Sequence, residues 1–257
     1  MSTTAPNTGK PGKPGNTGNT GTTGKTAKTE RKPRDVRGFW RVLLAVIAPV
    51  PILLQGIVYL ISPVGGNAPF DETVAAVAAH QGRFELMQWL QVPWFLLIPA
   101  SFAVAWVTRR RVPRLSTVGA IVTMGGLGAG LFLLGGPVTP EYLTVHEGLD
   151  PGTMEKVRSA MDNLPIFAVG SLLFILAITV GLLLQGIALA RSRVAPVWMG
   201  IALAVGGFTH PFMPGHVAAG IGLVVTAVGF AGASIALLRT PNDAFDLPPE
   251  GLARQAS

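Results

Sequence analysis

Four histidines, His80, His146, His210 and His216, are the side chains of this sequence best suited to chemistry, because imidazole can ligate a metal or carry a proton near neutral pH. The densest pair lies in His210-Pro-Phe-Met-Pro-Gly-His216, two imidazoles in a proline-constrained turn with Met213 between them. With carboxylates such as Glu141 and Glu147 on a facing loop, the set would suit a soft or borderline metal, or haem. The five-residue spacer matches no established zinc pattern, so the four histidines stand as candidate ligands without a motif behind them. Cysteine is absent, which removes disulfides, thiolate ligands and thiol nucleophiles. Gly232-Ala233-Ser234 lacks the glycine that a nucleophile turn would supply next and has no neighbouring base, so it reads as helix packing.

The elements that must position the histidines are long apolar runs. Of 257 residues 49% are hydrophobic and 13% charged, against about 25% charged in soluble domains. Mean hydropathy is +0.48. Between two of the runs lies Thr108-Arg109-Arg110-Arg111-Val112-Pro113-Arg114, a short turn that stays cytoplasmic because guanidinium groups are expensive to carry across hydrocarbon. About twenty apolar residues cross a hydrocarbon core of about 30 Å. By that measure the chain is an all-α, polytopic protein: six transmembrane helices in the plasma membrane, with both termini cytoplasmic.

Helix 1 is expected from about Phe39 to Val64, broken by Pro49 and Pro51, with the Gln55 amide serving a carbonyl that the prolines free. The outer loop 65–85 should hold a short helix that Asp71 caps and Gly82 ends. Helix 2 (about Leu86 to Thr108) is interrupted by Pro93 and Pro99, and helix 3 (about Leu115 to Leu134) carries the small-residue pair Gly126 and Gly130. Its glycines place helix 3 in the bundle interior. In the second outer loop, about Gly135 to Asn163, Asp150-Pro151 reads as a helix start. Helices 4, 5 and 6 follow at about Pro165 to Ala190, Val194 to Phe212 and Pro214 to Leu238. A repeat at an offset of 81 aligns Gly119-x5-Gly125-Gly126 with Gly200-x5-Gly206-Gly207 and Arg110 with Arg191.

In this topology Arg83, Lys156 and Arg158 alone among the Lys and Arg fall outside, with Asp71, Glu72, Glu85, Glu141, Glu147, Asp150, Glu155 and Asp162. All four histidines fall outside too. Between the bounding turns the spans hold no Asp, Glu, Lys or Arg, which argues against a proton-coupled transporter or a voltage sensor. Gln55, Gln91 and Gln185 are their chief polar groups.

Residues 1–37 are rich in Thr, Gly, Pro, Asn and Lys and read as a disordered basic cytoplasmic tail; 38–239 form the membrane domain, and 240–257 a second polar tail, mobile from Arg239. Net charge is +7, with the basic residues set beside hydrophobic runs, so the expected partners are the bilayer and anionic head groups at the cytoplasmic face. Nucleic acid is not expected, because no aromatic residue before Phe39 is available for base stacking.

Val77-Ala78-Ala79-His80-Gln81-Gly82-Arg83-Phe84, the Arg-rich turn and Arg191-Ser192-Arg193-Val194-Ala195-Pro196 together resemble a broad group of uncharacterised six-helix bacterial integral membrane proteins, over roughly residues 38–240. Many members carry Asp-Pro or His-Pro where this chain has His80-Gln81. The resemblance implies the architecture and brings no substrate, cofactor or catalytic residue. The function expected is that of a non-enzymatic membrane protein, accessory or transport-related. The alternative is a metal- or haem-binding redox protein or enzyme working at the outer face through the histidines.

Overall fold

The computed structural model describes residues 34–66, 68–133 and 138–246, without the side chains of Phe132, Leu133 and His210, and among them every regular element is a helix. The expected tail segments 1–33 and 247–257 lie outside the described residues. Four helices are long and apolar enough to cross a membrane: Arg37–Ile61, Gln81–Thr108, Pro165–Ser192 and His216–Arg239.

Proline sets the internal breaks of the first two of these helices. The first is α1 (Arg37–Ile47) and α2 (Val50–Ile61), parted at Ala48-Pro49 where the missing N–H interrupts the ladder. After α3 (Phe70–Ala79) comes α4 (Gln81–Gln91), which tightens to a 3-10 turn at Val92–Leu96 around Pro93 before α5 (Leu97–Thr108). Asp71 does not cap α3: Pro69 is the cap residue, and Asp71 sits in the first turn, where the helix dipole favours a carboxylate. That helix stops at His80, and Gly82 belongs to α4.

Next come α6 (Pro113–Leu133), α7 (Pro140–His146), α8 (Pro151–Asp162), α9 (Pro165–Leu176), a π turn at Ala177–Gly181, α10 (Leu182–Ser192), α11 (Val197–Phe212), α12 (His216–Arg239) and α13 (Asn242–Phe245). Asp150 caps α8 as expected, accepting from Thr153 N at 2.8 Å and Thr153 Oγ1 at 2.7 Å. The short helix α7 was not legible in the sequence.

Glycine sets how closely the helices approach. A Cβ on Gly229 of α12 would meet Leu203 N of α11 at 2.5 Å, and one on Gly200 of α11 would meet Ala190 N of α10 at 2.5 Å. On α6 a Cβ at Gly130 would meet Phe174 Cβ at 2.7 Å, and one at Gly119 would meet Gln185 N at 3.3 Å. Residue numbers rise along α6 as those on α9 and α10 fall, so the neighbours run antiparallel. Such contacts let backbones gain dispersion energy where lipid supplies no hydrophobic drive. Gln185 and Ser101 tie α10 to α5 inside the core, the amide nitrogen lying 3.2 Å from the hydroxyl and donating to the Ser101 carbonyl at 3.3 Å. Span hydroxyls such as Thr123, Thr179 and Thr226 donate to carbonyls one turn back, which leaves them satisfied without water.

Helix α6 is not the interior helix. Val118 and Ile121 leave one of its faces exposed, while α12, packed on α1, α2, α5, α10 and α11, is the most buried of the long helices. Glycine marks close contact on one side of a helix and carries no information about the other side. Part of the expected second tail is ordered helix. Residues 240–246 are packed on the bundle, because Phe245 buries its ring beside Trp106, Ala45 and Leu237.

Candidate functional site

At the end of the bundle where α2 finishes and α12 begins, a cleft of about 460 Å³ opens among α2, α4, α7, α8 and the start of α12. Its wall combines Gln55 and Tyr59 of α2, Gln88 and Gln91 of α4, Glu141 and Tyr142 of α7, Arg158 and Asp162 of α8, and His216. Every one of these side chains has a hydrogen-bonding group, and they come from segments far apart in the chain.

The charged centre is an ion pair. Glu141 is buried in the first turn of α7, and Arg158 Nη1 lies 2.6 Å from its Oε1. Asp162, one turn along α8, stands 3.9 Å from Arg158 Nε. Pro140 supplies the first residue of α7 at no cost in hydrogen bonding, and the following carboxylate faces the helix N-terminus, where its charge is favoured. Two carboxylates beside one guanidinium leave the cleft with an excess of negative charge.

Gln55 lies at the floor. Its Oε1 is buried without a hydrogen-bond partner. The side chain borders both the cleft and a second cavity of about 20 Å³ below it, enclosed by Trp94, Phe174, Ile178 and Thr226 among others. Trp94 and Phe174 meet edge to face at 5.7 Å in its wall. About 10–15 Å³ suffices for one water, so this cavity admits a water that Gln55 Oε1 can accept from.

Of the four histidines, His216 lines the cleft. His80 is exposed at the junction of α3 and α4, away from the wall. His146 is exposed at the end of α7, stacked on Tyr142 at 5.1 Å with its Nδ1 3.4 Å from the tyrosine hydroxyl. His210 lies on α11, and its side chain is outside the described residues. Among the described residues no three His, Asp or Glu converge as metal ligands, and Glu141 is engaged by Arg158 instead. Glu147 lies 3.8 Å from His146 at the surface. No local sequence pattern marks Tyr59, Tyr142 or the pairing of Arg158; the available signal is two cations, Lys156 and Arg158, in a loop otherwise rich in acids.

Beside the cleft runs a groove of about 700 Å³ between α9, the α11–α12 corner and the start of α3. Tyr59 and His216 border both spaces. The arrangement offers hydrogen bonds, a buried carboxylate and aromatic rings to a bound molecule. No protein-family profile, curated protein or solved structure matches this chain.

Proposed function

We propose that the chain is a plasma-membrane protein of six transmembrane helices with both termini cytoplasmic, acting as a non-enzymatic accessory or transport-related protein through its cleft. The observation that carries this is the distribution of Lys and Arg between the two ends of the bundle. The end holding the start of α1, the α5–α6 and α10–α11 turns and the close of α12 has Arg37, Arg41, Arg109, Arg110, Arg111, Arg114, Arg191, Arg193 and Arg239. At the cleft end the described residues have Arg83, Lys156 and Arg158. Positive residues retained inside put the cleft on the outer face. Counting α6 and α11 as spans is supported by their antiparallel packing in line with the four long helices, and by 21 residues in α6 with no charge after Arg114. Anionic head groups are the natural partner of the Arg-rich end. Membership of the six-helix bacterial group is part of the same proposal.

Metal and haem analysis of the purified full chain tests the non-enzymatic assignment. Sub-stoichiometric content, unchanged in the His210→Ala, His216→Ala double variant, is expected. One equivalent of metal or haem, lost in that variant, would overturn it in favour of an outer-face redox protein.

A further inference from the structure

Resting on the membrane reading above, the geometry points to an occupant for the cleft and the groove together: an amphiphile with a single ammonium head and an alkyl chain. The groove is lined by Ile175 and Met213, which are 38% and 51% exposed and belong to the apolar belt that also includes Leu172, Phe212 and Val217. In a membrane this belt faces acyl chains, so the groove opens sideways to lipid. Phe174 and Ile178 extend its apolar wall inward. At its polar end Tyr59 and His216 connect it with the cleft, so a chain entering from lipid brings its head to the charged wall.

The sign of the head follows from the charges. Glu72 borders the groove, and Glu141 and Asp162 border the cleft, while Arg158 is the only Lys or Arg among the described residues lining either space. Arg158 is already spent on Glu141. An anionic head would therefore meet carboxylates in excess of the one guanidinium, whereas an ammonium is attracted by them. A head without a chain would leave the groove unused, and a chain with a neutral head would leave the excess charge unmatched.

The test uses the full chain in dodecyl maltoside and a dodecyltrimethylammonium probe carrying a diazirine in its chain. Saturable photolabelling is expected within 174–178 and 211–219, competed by unlabelled dodecyltrimethylammonium at concentrations where laurate and tetramethylammonium do not compete. Glu141→Gln should weaken half-saturation on the order of tenfold. Because Glu141 also holds α7 to α8, the double variant Glu72→Gln, Asp162→Asn at exposed positions should weaken it in the same direction with the melting temperature unchanged. Labelling spread over the apolar belt without saturation, or equal competition by laurate, would overturn the inference. Saturable labelling in a chain whose thiol labelling reversed the orientation would keep this site and overturn only the sidedness proposed above.

Discussion

Arg158 on α8 holds Glu141 on α7 at 2.6 Å, and this contact joins two helices of the cleft wall. Glu141 is buried, so removing its partner strands a carboxylate. Arg158→Met should destabilise the fold by about 2 kcal/mol, less than the loss of about 3–5 kcal/mol for a fully enclosed pair, because the Arg158 side chain is 30% exposed. The double variant Glu141→Gln, Arg158→Met should recover most of the loss. Thermal unfolding in detergent reads both, and a double variant no more stable than Arg158→Met would show that the pair matters for shape alone.

The cap of α8 should respond to acid. Hydrogen bonds from the Thr153 hydroxyl and backbone N–H to Asp150 hold its carboxyl below the ordinary aspartate value. A depressed folded pKa means that the stabilisation is present above the unfolded value near 3.9 and is lost as pH falls through the lower folded value. Hydrogen exchange of the first turn of α8 should therefore accelerate below about pH 4 in the parent chain. Asp150→Asn keeps an acceptor without a titrating group, so its exchange should show no such step.

Close packing between α11 and α12 predicts a contrast among glycines. Gly229→Ala would drive a Cβ to 2.6 Å from Leu203 Cα, whereas a Cβ at Gly125 meets nothing within 4 Å. Overpacking costs about 1–3 kcal/mol, and alanine is favoured over glycine in a helix by about 1 kcal/mol. Gly229→Ala should lower the melting temperature and Gly125→Ala should hold or raise it. Equal losses would mean that both glycines face a neighbour.

The sequence made these helices legible because hydrocarbon demands long uncharged runs and proline marks where they break. Pro49 parted α1 from α2, and Asp150-Pro151 announced α8. What stayed hidden depends on contacts between distant segments. Gln55, Glu141, Arg158 and His216 share a cleft only because α2, α4, α7, α8 and α12 meet at one end, and no local pattern encodes that meeting. The histidines stood out by chemical type, yet His216 lines the cleft while His80 and His146 are exposed and are not among its lining residues. The central place of α12 was equally hidden, since α6 is also rich in glycine.

The docking of α13 predicts that the end of the described chain is structural. Phe245 is buried against Trp106, Arg109 donates to the Phe245 carbonyl at 3.1 Å, and Arg37 donates to the Asp243 carboxylate at 2.9 Å. Phe245→Ala should cost about 3 kcal/mol, the lower end for a buried aromatic, because the site lies at the margin of the bundle. Leu238→Ala, at a position 56% exposed, is the control and should shift the melting temperature far less. Equal shifts would mean that α13 is a passive extension of α12.

The orientation is the last expectation and the one on which the sidedness of the cleft depends. Arg110, Arg111 and Arg114 surround the tight turn after α5, and Arg109 lies over the Trp106 ring at 3.2 Å, an interfacial pairing of cation and aromatic. Thr153 begins α8 at the opposite end, beside the acid-rich cleft. Moving the arginine turn across the bilayer would place several guanidinium groups on the far side, whereas among the described residues the cleft end contributes three Lys and Arg, Arg83, Lys156 and Arg158. The chain has no cysteine, so single thiols report without background. Both Arg111 and Thr153 are exposed, and a cysteine at Thr153 keeps the backbone N–H that donates to Asp150. On intact cells an impermeant maleimide should label Thr153→Cys strongly and Arg111→Cys only after permeabilisation. Labelling of Arg111→Cys on intact cells, with Thr153→Cys protected, would invert the protein and turn the cleft toward the cytoplasm.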